Sequence, residues 1–251
     1  MIRLLIIILY IPFISIYTLF DFLISKLLNA KDDVKIRKHA SNVALSVFKF
    51  LLFVSGARVY VSGLENIDKL SNEKAYFIVS NHRGFFDIIS GYQIFNRYVG
   101  IVAKDNLGKI PVLSYWMKKI HCVFLDRNNL RDGVRMILNS IQNINDGISM
   151  WVFPEGTRSK REDPTELLEF KAGAFKIAEK TDSYILPVAF RNTEKVFENQ
   201  KPFLKPADIY INVGEPIKYS SIEETNRNDI GNYYQNIIKN LLLEDKQWQR
   251  I

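Results

Sequence analysis

From about residue 58 to the end of the chain, short apolar runs alternate with stretches of helical periodicity. The apolar runs are rich in Val, Ile and Phe, as the buried strands of a parallel sheet are. Such alternation predicts an α/β fold, with a mostly parallel central sheet flanked by helices. The predicted strands are 58–61, 75–80, 98–103, 122–125, 149–153, 183–190 and 209–213, and the predicted helices are 87–95, 111–119, 131–145, 171–180 and 229–244.

Two stretches between these elements, residues 192–206 and 219–228, are polar, and we expect both to be exposed loops. Pro187 lies inside the apolar run at 183–190. Because proline lacks the N–H that a central strand needs, it indicates an edge, a bulge or the wall of a loop. No low-complexity linker divides the chain after residue 57, so we expect one α/β domain over residues 57–251.

The amino terminus has a different pattern. Residues 4–20 read LLIIILYIPFISIYTLF, seventeen positions with no charge and no polar face, which is typical of a membrane helix. Spanning a bilayer takes about 20 apolar residues, so the run is marginal for a full crossing. Pro12 would kink or end a helix there. A cleaved signal peptide is the alternative, but Asp21 and Lys26 follow instead of a small-residue cleavage site.

A second apolar run, residues 43–54, is too short to span a membrane and carries Lys49, which favours a helix at the interface. Together the two runs predict a two-helix membrane anchor over residues 1–56, and two buried core helices of a soluble protein are the alternative. An excess of basic residues after the first run predicts that the α/β domain lies on the cytoplasmic side of the cell membrane. These residues are Lys26, Lys31, Lys35, Arg37 and Lys38, against Asp32 and Asp33, whereas Arg3 precedes the run.

Composition narrows the range of partners. The formal net charge of the 251 residues is +7, which implies an anionic partner. No nucleic-acid-binding motif is present, so we expect membrane phospholipids and an anionic substrate rather than nucleic acid. Cys122, the only cysteine, excludes an internal disulfide and a cysteine-rich metal site. His121 beside it has no further ligand at suitable spacing, so we expect no metal.

The candidate catalytic pair follows the second predicted strand. His82 and Asp87 are five positions apart in the segment Asn-His-Arg-Gly-Phe-Phe-Asp. An imidazole that a carboxylate orients can take a proton from a substrate hydroxyl. Of the three histidines, only His82 has an acidic residue close by at a strand-to-helix turn. By itself such a pair is more often a structural hydrogen bond, so its weight depends on the other motifs.

A second motif, Phe-Pro-Glu-Gly-Thr-Arg-Ser at 153–159, follows the strand predicted at 149–153. Gly156 permits a tight turn, Thr157 offers a hydroxyl, and Arg158 offers a planar fork of N–H donors that suits a phosphate. Glu155 can orient Arg158 or accept from a substrate hydroxyl. A solvated proline–glycine turn is the alternative for an isolated motif of this kind.

Two further basic residues, Lys104 and Arg127, come directly after predicted strands. Ligands of open α/β sheets bind outside the carboxyl ends of the strands. If the strands are parallel, His82, Lys104, Arg127 and the 153–159 motif meet at one edge of the sheet. Each basic residue by itself is typical of a solvated surface, but placement after consecutive strands favours one anion-binding site.

These motifs resemble the blocks of the glycerolipid acyltransferases, most closely the lysophosphatidate (1-acylglycerol-3-phosphate) acyltransferase family. The likeness covers about residues 58–215, and two blocks match in full. His121 stands where a glycine is usual, and Asn106 where an acidic residue is usual. The four blocks, in the family's order, are Asn81-His82 with Asp87, Arg127 after an apolar strand, Phe153–Ser159, and the strand with a proline at Ile185–Val188.

The resemblance implies transfer of a fatty acyl group from acyl-CoA or acyl carrier protein to the 2-hydroxyl of lysophosphatidic acid, which gives phosphatidic acid. His82 would be the base and Asp87 would orient it, without a cofactor. Another acceptor, such as a lyso-ornithine lipid or a lysophospholipid, is an alternative, and so is a non-catalytic protein that binds anionic lipid. The implied substrate-binding residues are Lys104, Arg127, Glu155, Gly156, Thr157 and Arg158.

Overall fold

The computed structural model describes residues 2–28, 33–95, 98–244 and 247–251. Lys31 and Asp32, which contribute to the charge bias near the amino terminus, lie outside these residues. The helices are α1 (Ile2–Leu27), α2 (Asp33–Ser55), α3 (Glu65–Asp68), α4 (Phe85–Gly91), α5 (Pro111–Lys119), α6 (Leu130–Asn145), α7 (Lys176–Thr181), α8 (Glu224–Asn228) and α9 (Ile230–Leu243). The strands are β1 (Arg58–Ser62), β2 (Phe77–Ser80), β3 (Val99–Lys104), β4 (Val123–Leu125), β5 (Ser149–Val152), β6 (Tyr184–Arg191), β7 (Asp208–Val213), β8 (Ile217–Lys218) and β9 (Gln249–Arg250).

Within the described residues the strands form one sheet in the order β4-β3-β5-β2-β6-β7-β1-β9, and β8 pairs with β6. The neighbours from β4 to β6 are parallel. β7 runs antiparallel to β6, and β1 is parallel to β7. The α/β class with a mostly parallel sheet is therefore confirmed. The carboxyl ends of β2 to β6 meet at one edge of the sheet, which we call the site edge.

Helices cover both faces of the sheet, and each face has its own hydrophobic cluster. Alternate residues of β2 point to opposite faces, so Ile78 joins one cluster and Phe77 the other. The first cluster includes Ala40 of α2 and Trp116 of α5. The second includes residues of α6, α7 and α9, such as Ile238. A strand that is buried on both faces reads as a continuous apolar run, which is the pattern of the sequence.

Every predicted strand and helix overlaps an observed one, but the loops differ from expectation. The prediction of an exposed loop at 192–206 holds only in part, because Thr193, Glu194 and Val196 are buried whereas residues 201–203 are exposed. The stretch 219–228 contains α8, and Ile222 in it is buried. The other residues of 219–228 are exposed or half-buried, as predicted.

Pro187 lies inside the sheet, at a break between two partners of β6. On one side it pairs in parallel with Val79 of β2. On the other side, β7 pairs with β6 only from Val188 onward, and β8 pairs with Tyr184 and Ile185. A proline fits at this break because the partner strand is interrupted beside it.

Helix α2 packs as part of the domain. Ala40 and Val54 are buried, and Phe48 packs on the first cluster. The expected division at residue 56 therefore does not follow the packing, since α2 shares a core with the sheet. The two-helix anchor is supported only for α1, which, among the described residues, is the helix long and apolar enough to cross a membrane.

Helix α1 lies along the domain and continues through Pro12. The rings of Tyr10 and Phe50 of α2 are 4.2 Å apart, and the Trp116 indole donates to Thr18 at 2.8 Å. Further along, Lys119 of α5 donates to Asp21 at 2.6 Å. The opposite face of α1 carries exposed apolar side chains, including Leu5, Ile8, Leu9, Phe13, Ile16, Leu19, Phe20, Leu23 and Leu27.

Candidate active site

Asn81 fixes the point at which the chain leaves β2. The ladder between β2 and β6 ends at Ser80 and Val188. The buried Asn81 side chain then continues the pairing, donating to the carbonyl of Phe190 at 2.9 Å and accepting its N–H at 2.8 Å. Because both ends of the amide are held, the next residue, His82, starts from a fixed position at the site edge.

His82 and Asp87 form a hydrogen-bonded pair at this edge. Nδ1 of His82 lies 2.6 Å from Oδ2 of Asp87. The same oxygen accepts the N–H groups of Arg83 at 2.7 Å and Gly84 at 2.9 Å, and the Thr193 hydroxyl donates to Oδ1. The carboxylate is fully buried, and these donors compensate its charge.

The same contacts set the tautomer of the histidine. An ionised carboxylate only accepts hydrogen bonds, so Nδ1 of His82 carries the hydrogen and Nε2 is left as the nitrogen that can take a proton. Asp87 is the third residue of α4, and its bond to the N–H of Gly84 also caps that helix. This cap explains why α4 begins at Phe85, two residues before the predicted start.

The 153–159 turn holds His82 from another side. The ring of Phe153 stacks on the imidazole, with centroids 4.2 Å apart. Oε1 of Glu155 accepts the backbone N–H of His82 at 2.6 Å, and Oε2 accepts that of Leu168 at 3.0 Å. The N–H of Ser159 donates to the His82 carbonyl at 2.8 Å. The turn therefore fixes both the ring and the backbone of the histidine.

Glu155 is buried, and the backbone donors occupy its two oxygens. Burial raises the pKa of this carboxyl to about 7, although the N–H groups of His82 and Leu168 favour the charged form. The interpretation in which Glu155 orients Arg158 is wrong, because the carboxylate bound to Arg158 is that of Glu198. Oε1 of Glu198 accepts from Nη1 of Arg158 at 3.0 Å.

Arg158 stands on the outer side of the turn, with 36% of its side chain exposed. Its guanidinium carbon lies 4.5 Å from the ring centroid of Phe85, a cation–π contact. Loss of solvent around the Arg127 guanidinium lowers the pKa of that residue, and repulsion from Arg158 lowers it further.

The remaining predicted residues lie at the site edge with further cations. We call the cationic side chains of Lys104, Arg127, Arg158 and Lys171 at this edge the basic margin. Gly156 has a φ of +69°, and a Cβ atom there would lie 3.2 Å from Nζ of Lys171, so the Lys171 ammonium borders the turn. Thr157 is exposed on the same turn, and Lys104 is exposed at the end of β3. The site edge thus combines the His–Asp pair with cations that can bind an anionic substrate.

Two residues of the site, Thr193 and Glu198, are not predicted from the sequence. Both lie in the segment expected to be an exposed loop. Thr193 is 106 positions from Asp87, and Glu198 is 113 from Phe85, so no local motif connects them. The available signal was the position of this segment directly after β6, whose carboxyl end lies at the site edge.

Cys122 and His121 lie away from the His82–Asp87 pair. Among the described residues, no group of three or more His, Cys, Asp or Glu side chains could hold a metal ion. Cys122 belongs to the first hydrophobic cluster, and burial raises the pKa of its thiol to about 12, so it stays protonated. Nε2 of His121 contacts Asp33 of α2 at 3.1 Å, away from the catalytic pair.

Comparison with known proteins decides the family. The model of the acyltransferase family matches residues 58–191, from β1 to the end of β6. The chain belongs to the acyltransferase family. Within this acyltransferase, the matched region holds the His82–Asp87 pair, Arg127 and Arg158, whereas Thr193 and Glu198 lie beyond it.

The acyltransferase is similar along most of its length to proteins named as 1-acyl-sn-glycerol-3-phosphate acyltransferases. A 1-acyl-sn-glycerol-3-phosphate acyltransferase of Borreliella burgdorferi is 31% identical over 185 residues, which cover 72% of each chain. A probable enzyme of the same name from Mycoplasma pneumoniae is 29% identical over 242 residues, covering 90% of this chain and 85% of that one. The crystal structure of the 1-acyl-sn-glycerophosphate acyltransferase PlsC of Thermotoga maritima aligns with a TM-score of 0.77 and 25% identity, over 99% and 98% of the two chains.

Proposed function

We propose that this acyltransferase moves a fatty acyl group from an acyl thioester to the 2-hydroxyl of lysophosphatidic acid, giving phosphatidic acid. The observation that carries the proposal is the His82–Asp87 pair, with Arg158 and Lys171 at the 153–159 turn on the same edge of the sheet. The names of the relatives from Borreliella burgdorferi and Mycoplasma pneumoniae support this acceptor.

The geometry of the pair supports a base mechanism. Nε2 of His82 takes the proton of the acceptor hydroxyl as its oxygen attacks the thioester carbonyl. Asp87 stabilises the imidazolium that forms, because its carboxylate is already held 2.6 Å from Nδ1. When the tetrahedral intermediate collapses, the carbon–sulfur bond breaks and the imidazolium returns the proton to the thiolate. The products are an ester and a free thiol, and the protein itself needs no nucleophile.

The acceptor's phosphate binds to the basic margin. Arg158 presents several N–H donors in a plane and uses Nη1 on Glu198, so the rest of its fork can grip phosphate oxygens. Arg127 and Lys171 add charge, and Gly156, Thr157 and Lys104 line the same region. Glu155 acts from within the protein by holding the backbone of His82. Fixing the hydroxyl and the phosphate together lowers the entropic part of the barrier.

The exposed face of α1 supports binding to membrane phospholipids. Contacts from Tyr10 to Asp21 hold α1 along α2 and α5, so its apolar face can enter one leaflet while the domain lies flat on the surface. The basic excess after α1 supports the cytoplasmic side of the membrane. On this proposal the anchor is α1, and α2 joins it to the domain.

The acyl donor and the acceptor headgroup are tested together. Purified protein is assayed on vesicles with lysophosphatidate, lysophosphatidylcholine or a lyso-ornithine lipid, each with acyl-CoA or acyl carrier protein as donor. We expect the highest kcat/KM with lysophosphatidate, because its phosphate monoester has the highest charge. A higher value for a zwitterionic acceptor would overturn the proposed substrate. No transfer to any acceptor, with binding to anionic vesicles retained, would support the lipid-binding alternative.

A further inference from the structure

Glu198 contacts both Arg158 and the helix that carries Asp87. It lies in the segment between β6 and β7, at the start of a short 3-10 turn, Glu198–Gln200. Its Oε1 accepts the backbone N–H of Phe85 at 2.9 Å and Nη1 of Arg158 at 3.0 Å. Phe85 is the first residue of α4 and lies two positions before Asp87. One carboxylate oxygen thus bridges the helix of the catalytic pair and the candidate phosphate-binding arginine.

The surroundings of Glu198 indicate a fixed carboxylate rather than a surface charge. Only 12% of its side chain is exposed. A Cβ atom on Gly84 would lie 2.4 Å from Oε2, so the carboxylate packs directly on the backbone of that glycine. Oε2 is buried and has no hydrogen-bond partner among the described residues. Burial raises the pKa of Glu198, which is consistent with a carboxylate held in place at some cost in solvation.

Arg158 is correspondingly restricted. Its guanidinium is held on one side by the face of the Phe85 ring and on another by Glu198. A long side chain that is more than a third exposed would otherwise sample many rotamers, and ordering it on binding would weaken affinity. Phe85 begins α4 and its N–H donates to Glu198, so both restraints are tied to the amino terminus of α4 and set the offset between Arg158 and His82.

We propose that Glu198 is a positioning residue for the acceptor: it holds Arg158 at a fixed offset from His82, so that a bound phosphate places the neighbouring hydroxyl beside the base. The inference rests on the proposed function, since it takes the acceptor to carry its phosphate next to the reacting hydroxyl. Glu198 lies outside the region that the family model matches, residues 58–191.

The test measures KM and kcat for lysophosphatidate on vesicles at saturating acyl-CoA. For Glu198→Ala we expect KM to rise about three- to tenfold, the range for one long side chain that must be ordered on binding. We expect kcat to stay within about twofold, because the base is untouched. Glu198→Gln keeps an oxygen for both donors and should restore KM to near the wild-type value. Asn199→Ala, an exposed position on the same turn, is the matched control and should change neither constant.

A double-mutant cycle separates positioning from packing. If Glu198 acts through Arg158, adding Glu198→Ala to Arg158→Ala should raise KM no further. Additive effects, a loss of kcat at unchanged KM, a Glu198→Gln variant as impaired as Glu198→Ala, or an equal change in Asn199→Ala would each overturn the inference. If Arg158→Ala leaves the acceptor KM unchanged, the proposed phosphate site itself is wrong. If Arg158→Ala raises KM and Glu198→Ala does not, only the role of Glu198 is wrong.

Discussion

Replacing Asp87 with asparagine tests the charge of the catalytic carboxylate with little change of shape. In the asparagine, the amide oxygen can take the place of Oδ2 and keep accepting from His82, Arg83 and Gly84. The amide nitrogen then takes the place of Oδ1, where the Thr193 hydroxyl can rotate to accept from it. The loss is the attraction between the carboxylate and the imidazolium. With charge centres about 4 Å apart, this attraction is about 4 kcal/mol at an effective dielectric constant of about 20. We therefore expect the rate to fall by about a thousandfold.

The assay follows initial rates on lysophosphatidate vesicles with acyl-CoA. Because the imidazolium exists only after proton transfer, kcat and kcat/KM should fall by the same factor while the acceptor KM stays constant. Asp146→Asn, at the far end of α6, is the matched control and should keep the wild-type rate. A loss smaller than about tenfold, in an Asp87→Asn variant that melts as cooperatively as the wild type, would show that the charge of Asp87 contributes little to catalysis. Asp87 would then serve only to cap α4.

Three further outcomes follow from the structure. Arg158→Ala should raise KM for lysophosphatidate by about tenfold or more, and less for the acyl donor, because the phosphate loses a charged partner; equal effects would remove Arg158 from the acceptor site. The free energy of unfolding should fall by up to about 3 kcal/mol as pH rises from about 4.5 to about 7, since folded Glu155 keeps its proton over that window and the unfolded chain does not. Urea titrations at several pH values should show that the free energy of unfolding of Glu155→Gln falls less steeply with pH than that of the wild type. Equal slopes for the two proteins would contradict the raised pKa of Glu155. Deleting residues 2–28 should release the domain from membranes and slow transfer on vesicles, and a truncated protein that pellets and turns over normally would exclude α1 as the anchor.

The sequence predicted the parts of the site that local spacing determines. His82 and Asp87 lie within one strand-to-helix turn, so a single segment brings them together, and the carboxyl ends of the parallel strands collect the basic residues. Partners that come from distant segments were missed, since nothing near Asp87 indicates Thr193. The segment that carries Thr193 and Glu198 is polar, and polar composition predicts exposure unless the hydrogen-bond partners are known.

The structure also differs from the sequence-based prediction at the amino terminus. Hydropathy identified both apolar runs, but it could not distinguish a helix that packs on a core from one that enters a membrane. Ala40 and Val54 place α2 in the core, whereas α1 keeps its apolar face exposed. The distinction depends on the sheet face that α2 covers, and that face is assembled from strands far along the chain.

The side-by-side packing of α1 on the domain has a kinetic consequence. A protein held flat against a bilayer meets a lipid acceptor by lateral diffusion, so the relevant concentration is a mole fraction in the surface rather than a bulk molarity. Diluting lysophosphatidate with inert phospholipid, at constant total acceptor, should therefore slow the enzyme. The domain also cannot swing away on a tether, since the contacts from Tyr10 to Asp21 lock helix and domain together. If α1 anchors the protein as proposed, turnover becomes a two-dimensional reaction whose rate depends on the composition of the surrounding membrane.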